Sequence, residues 1–132
     1  MSHDLPAAPA FGDALPVSAA PEVLAFLARR RSASALSLRA PGPTAAELTD
    51  LLTLAARVPD HGKLSPWRFI VLRGGDKAAF AAKLEALAAG HADGPKLVAK
   101  LGKLKAPPLG VAVVSRPVEG EIPRWEQLLS AG

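Results

Sequence analysis

"RVPDHGKLSPWRFIV", residues 57–71, is the stretch on which the reading of the fold turns. It sets one His, two prolines, one Gly and four charged side chains between an Ala- and Leu-rich amphipathic segment and an apolar run. Pro59 disfavours helical geometry at Val58, so the preceding helix must stop near Arg57. The run from Arg68 to Leu72 is apolar and rich in β-formers, which predicts a strand. What lies between is a corner joining two elements, where a scaffold often presents functional side chains.

To the left of this corner, Thr44 and Glu47 form a T-x-x-E capping box. It opens a helix on which Leu48, Leu51, Leu52 and Ala55 share a face. "APGP", residues 40–43, separates that helix from an earlier one, "PEVLAFLARRR", starting at Pro21. There Pro suits the first turn, Glu22 favours the positive helix end, and Val23, Leu24, Leu27 and Ala28 make an apolar stripe. Residues 1–20 hold three prolines and no apolar period, which predicts a flexible Ala/Pro-rich tail ahead of one domain over 21–132. To the right, "RGGD" reads as a turn, with Asp76 capping a helix through about Ala89. After "GHADGP", residues 95–105 read as a helix with Leu97, Val98, Leu101 and Leu104 inward. "LGVAVVS", residues 109–115, reads as a buried strand, and Pro123 as the start of a short closing helix in "IPRWEQLLSAG".

The composition narrows the function classes. A chain of 132 residues accommodates one domain with a core, and with aromatics at 5% that core must rest on Leu, Val and Ala. The chain has no Cys, which excludes disulfides and Cys-ligated zinc and fits a reducing cytoplasm. His3, His61 and His91 lie at no metal-ligand spacing, so no metal site is expected. No apolar run reaches the length of a membrane span, and the N-terminus lacks a basic region followed by an apolar core, so a soluble, unsecreted protein is expected. The net charge of +4 would suit an anionic ligand or nucleic acid. With no Tyr, four Phe and two Trp, the stacking platforms of a nucleic-acid binder are scarce.

Four local groupings could carry chemistry. "RRRSAS", residues 29–34, could chelate an anion through guanidinium forks and a hydroxyl, or simply complement the dipole at a helix end. His61 could meet a ligand from its loop, or be solvated. Asp60 beside His61 suggests hydrolysis, but no G-x-S-x-G elbow and no Cys supplies a nucleophile. Lys96, Lys100 and Lys103 fall on one side of a helix, as on any solvated amphipathic face. Trp67 and Trp125 read as packing residues with one indole donor to satisfy. No GxGxxG and no P-loop occurs, so a Rossmann or Walker nucleotide site is unsupported.

Taken in order, "RRSAS" at residues 30–34, the capped helix, the 57–71 corner and "IPRWEQLLSAG" resemble the nitroreductase family, FMN-dependent NAD(P)H oxidoreductases, in its compact bacterial subgroup. The resemblance runs from about residue 22 to the last. It implies an α+β nitroreductase-like fold with helices packed on a mixed sheet, and a site that binds FMN. In the family, "RRS" holds the FMN phosphate and ribityl chain, which implies Arg30, Arg31 and Ser32. The Arg and His that bracket "VPD" contact FMN, which implies Arg57 and His61. The "SAG" triplet lies where the nicotinamide approaches, which implies Ser130, Ala131 and Gly132. The implied reaction takes a hydride from NAD(P)H to a nitro compound or quinone-like acceptor through the flavin, with no side chain as strict acid or base. A cytoplasmic homodimer acting on a small-molecule acceptor, with neither nucleic acid nor membrane as partner, is also implied. Two departures stand out: Ser34 occupies the position of a further phosphate-binding Arg, and family members run on past Gly132, so the chain is expected to correspond to the N-terminal part of the domain. The alternative is a non-catalytic fragment that acts, if at all, by oligomerisation or anion binding.

Overall fold

The computed structural model describes residues 5–15 and 17–132. Residues 1–4 and 16 of the expected tail, with His3, lie outside the described residues; the rest of that tail carries no helix or strand. The elements in order are α1 (Pro21–Arg29), a 3-10 turn (Ala35–Ser37), α2 (Ala45–Ala55), a 3-10 turn (His61–Lys63) and β1 (Trp67–Arg73). These are followed by α3 (Gly74–Ala89), α4 (Gly94–Lys100), α5 (Gly102–Lys105), β2 (Leu109–Ser115) and α6 (Arg124–Ala131).

The two strands pair antiparallel, from Trp67 opposite Ser115 to Arg73 opposite Leu109. The chain leaves β1, returns along α3, runs back through α4 and α5, and so re-enters the sheet in the opposite direction. An even number of helical passes gives an antiparallel neighbour, where a single crossover helix would give a parallel one. The α+β class is therefore as expected, while the sheet among the described residues is two antiparallel strands and not the mixed sheet expected. Helix α3 packs on both strands and α6 on β2. One face of the sheet carries Trp67, Phe69 and Val113; on the other, a Cβ added at Gly110 would stand 3.7 Å from Leu104 of α5.

Local chemistry explains most boundaries. At α2 the Thr44 Oγ1 accepts from the Glu47 N–H at 3.3 Å, and Glu47 Oε2 accepts from the Thr44 N–H at 2.8 Å, so the capping box closes as expected. Helix α1 ends at Arg29, because Arg30 adopts an extended backbone with ψ 142, so only one of the three arginines belongs to the last turn. "RGGD" is not a turn: α3 begins at Gly74, and Asp76 sits inside its first turn and does not cap it. There a carboxylate still meets the positive end of the dipole. The expected helix over 95–105 breaks at Leu101, where Gly102, with no Cβ to stiffen the chain, opens α5 beside Leu36.

Lys77 makes the central polar anchor. Its side chain is buried, and its ammonium donates to the carbonyls of Leu104 at 3.1 Å, Lys105 at 2.7 Å and Pro107. Carbonyls that end a helix have no partner within it, and a cation is favoured there. Lys77 thus ties α3 to the end of α5 and sets where the chain enters β2.

Apolar burial is far from complete. Among the described residues the buried apolar side chains are chiefly Leu48, Ala81, Ala88 and Pro66. The accessible surface is 10483 Å², against about 6,600 Å² for a self-contained protein of this mass. Helix α1 buries none of its residues, so its Val23, Leu24 and Leu27 stripe is exposed. β2, expected to be buried, leaves Val113 at 52% exposure because a two-stranded sheet has too little to cover it.

Candidate functional site

The corner between α2 and β1 is held from three directions. Asp60 Oδ2 accepts from the Ser65 N–H at 2.7 Å, closing the loop around the His61–Lys63 turn. Gly62 has φ 74, and a Cβ there would meet Ile122 Cγ1 at 3.3 Å, so both conformation and space call for glycine. Lys63 and Ser65 also have positive φ, at 53 and 46, which costs roughly 1–2 kcal/mol each for a side-chain-bearing residue. Backbone held in such a region must be over-determined by its surroundings. Those surroundings are the Asp60 bond, the Ile122 contact and Pro66, which is fully buried and whose carbonyl accepts from the Arg116 N–H at 2.7 Å. Lys63 Nζ also stands 4.4 Å from the centre of the Phe11 ring.

Helix α6 is fixed against the same corner. Gln127, only 2% exposed, accepts from the Val118 N–H at 2.8 Å and donates to the carbonyls of Val118 and Ile122, each at 2.9 Å. A buried amide with its polar atoms matched in this way specifies one placement. It holds α6 to the loop that also supports Gly62. The neighbouring Glu126 then reaches His61: Nδ1 and Oε2 are 2.7 Å apart. One turn on, Ser130 Oγ donates to the Glu126 carbonyl at 3.1 Å.

The result is a concave site of about 420 Å³ in which His61, Glu126 and Ser130 supply the polar groups and Val58, Pro59 and Trp125 the apolar wall. Beside it lies a smaller cleft of about 200 Å³, bounded by Trp67, Phe69, Val113 and the Ser130–Gly132 end of α6. Val58 and Ser130 belong to both. Volume and lining suit a flat, mostly apolar ligand with a few polar edges.

Among the expected site residues, the fold brings His61 and Ser130 into one cleft and places Ala131 and Gly132 in the adjoining one. Arg57 is exposed at the end of α2, next to Val58, and lines neither cleft. Arg30, Arg31 and Ser32 are likewise exposed and outside both linings. They follow α1, which buries nothing and so is not anchored against the site. Glu126 and Trp125 escaped the sequence reading as site residues. Trp125 is 61% exposed and walls the cleft instead of packing in a core. The available signal was their place in the first turns of a helix that carries Ser130 one turn later.

An α+β chain that presents an imidazole, a hydroxyl and an aromatic wall around a shallow apolar cleft has the form of a small-molecule or cofactor site. The chain belongs to the nitroreductase family, whose model matches residues 27–131. Over 114 residues it is 40% identical to the Escherichia coli (strain K12) protein named "Putative NAD(P)H nitroreductase YdjA", covering 84% of this chain and 61% of that one. It is 34% identical, over the same shares, to a Haemophilus influenzae protein named "Putative NAD(P)H nitroreductase". The chain thus spans about three fifths of the length of these curated relatives. Among the described residues, no helix is long and apolar enough to cross a membrane.

Proposed function

We propose that this chain supplies the FMN-binding corner of an NAD(P)H-dependent nitroreductase, a cytoplasmic homodimer that reduces nitro compounds or quinone-like acceptors. The observation that carries the reading is the meeting of His61, from the 57–71 corner, with Ser130 and Trp125, from α6, in one apolar cleft. The residues fit the cofactor in two parts. Arg30, Arg31 and Ser32 offer bidentate donors and a hydroxyl suited to a phosphate. The Trp125, Val58 and Pro59 wall, with the adjoining Trp67 and Phe69, suits a planar apolar ring. FMN, when bound, supplies the hydride chemistry. The chain's own contribution is to bind and orient: arginine cations for the phosphate, an imidazole at the ring edge, and small residues at Ala131 and Gly132 where a second ligand can come close.

A second reading rests on the large accessible surface: a non-catalytic fragment, acting by oligomerisation or anion binding. Leu128 and Leu129 at 44% and 72% exposure favour it, since a partner surface would cover them. The deciding experiment is a visible absorption spectrum after FMN incubation and desalting, taken on this chain and on one extended to the length of its relatives. Flavin held by either supports the first reading, and by neither the second. His61→Ala and Arg57→Ala should each weaken FMN binding while Lys100→Ala does not; equal effects from all three would refute the site.

A further inference from the structure

The 57–71 corner and α6 are joined by one side-chain contact between ionisable groups: His61 Nδ1 to Glu126 Oε2 at 2.7 Å, across 65 residues of chain. A carboxylate can only accept, so the proton of that bond resides on Nδ1. In a neutral imidazole the other nitrogen is then an acceptor. Free imidazole side chains in water favour the opposite tautomer, with the proton on Nε2. The carboxylate therefore changes what His61 offers to the cleft.

We propose that Glu126 is a positioning residue, holding neutral His61 as the Nδ1–H tautomer with Nε2 as a hydrogen-bond acceptor for an N–H or O–H donor on the ligand. Its reach is preorganised from two sides. Gln127, the next residue on α6, is locked to Val118 and Ile122, and the Ile122 side chain in turn stands close to Gly62, the residue after His61, where an added Cβ would meet it at 3.3 Å. Glu126 itself is only 28% exposed in its side chain, against 64% for His61, so the carboxylate forms the floor and the imidazole the accessible lip. The arrangement also divides charge. An anionic group is unwelcome beside Glu126, which leaves the phosphate to Arg30 and Arg31 and reserves the cleft for the neutral edge of the ligand. A flavin, whose ring carries an imide N–H, is a ligand of that chemistry, and in naming one the inference rests on the function proposed above.

The test is isotope-edited NMR of the imidazole nitrogens in the full 132-residue chain at a pH where His61 is neutral, its signal assigned by loss in His61→Ala. Wild type should carry the proton on Nδ1. Glu126→Ala should revert to the Nε2–H tautomer, and Glu126→Gln, whose amide can accept from Nδ1–H or donate to a bare Nδ1, should lose the strong preference for Nδ1–H in a variant of nearly unchanged shape. FMN binding measured by flavin fluorescence should weaken about tenfold in Glu126→Ala, or about 1.4 kcal/mol, and much less in Glu126→Gln. A wild-type His61 protonated on Nε2, a tautomer indifferent to Glu126→Ala, or equal FMN affinity in wild type and Glu126→Ala would each overturn the assignment. The tautomer reading needs no flavin, so FMN retained by neither this chain nor the extended one would refute the proposed function while the NMR result still decides the role of Glu126.

Discussion

Replacing Lys77 with Met tests whether a buried cation organises this fold. Methionine keeps the length and apolar stem of the side chain and removes all three ammonium donors. The carbonyls of Leu104, Lys105 and Pro107 would then lose their partner. A hydrogen bond to a charged group contributes roughly 1.5–3 kcal/mol net, so three correspond to roughly 5–9 kcal/mol gross. Removing the charge also removes the cost of desolvating a buried ammonium, several kcal/mol in the other direction. Two of the carbonyls are only partly buried, so water can replace the lysine there; the bond to Pro107 is the buried one. The remainder is a loss of about 2–4 kcal/mol. With a urea dependence of about 1.5 kcal/mol per M, the unfolding midpoint should fall by roughly 1–3 M at unchanged slope. Lys103→Met, at an exposed position of α5, should shift stability by less than about 0.5 kcal/mol and serves as the control. A Lys77→Met midpoint matching that control would refute the reasoning, because it would mean that the buried bonds contribute nothing beyond the cost of burying the charge.

Two further substitutions probe the support of the cleft. Gly62→Ala meets both φ 74 and Ile122 Cγ1 at 3.3 Å, so it should lower the thermal midpoint by an amount corresponding to about 1–2 kcal/mol and weaken FMN binding by displacing His61. Gly74→Ala, with positive φ but open space around it, should cost less, and calorimetry of the pair would separate strain from crowding. Gln127→Leu leaves the Val118 N–H and two carbonyls without their side-chain partner and should cost about 1–3 kcal/mol, with faster amide exchange at Val118 as the local readout. Unchanged exchange there would mean that α6 is held by something other than this glutamine.

Much of the architecture was legible in the chain itself because its causes are local. The capping box at Thr44 and Glu47, the halt forced by Pro59, and both strands, residues 67–73 and 109–115, follow from side chains within a few positions of each boundary. The motifs taken in order, from "RRSAS" through the 57–71 corner to "IPRWEQLLSAG", also placed the chain in its family, which the family model over residues 27–131 bears out. Where sequence reading erred, neighbouring elements had intervened. Gly74 opens α3 ahead of Asp76, and the expected 95–105 helix yields at Leu101 because α5 turns against the 35–37 segment.

Three decisions belonged to the tertiary structure alone. Periodicity identifies an apolar face but not what covers it, so nothing in α1 or β2 announced that Leu24 and Val113 would remain exposed. A lysine at position 77 reads as one more surface charge until α5 ends over it and aims three carbonyls at its ammonium. Glu126 and His61 are 65 residues apart, and only the packing of α6, bonded through Gln127 to the 118–122 loop, brings them to 2.7 Å. Helix and strand boundaries are written by interactions a few residues long, which a sequence displays directly; the pairing of one charge with another across the fold depends on how those elements pack.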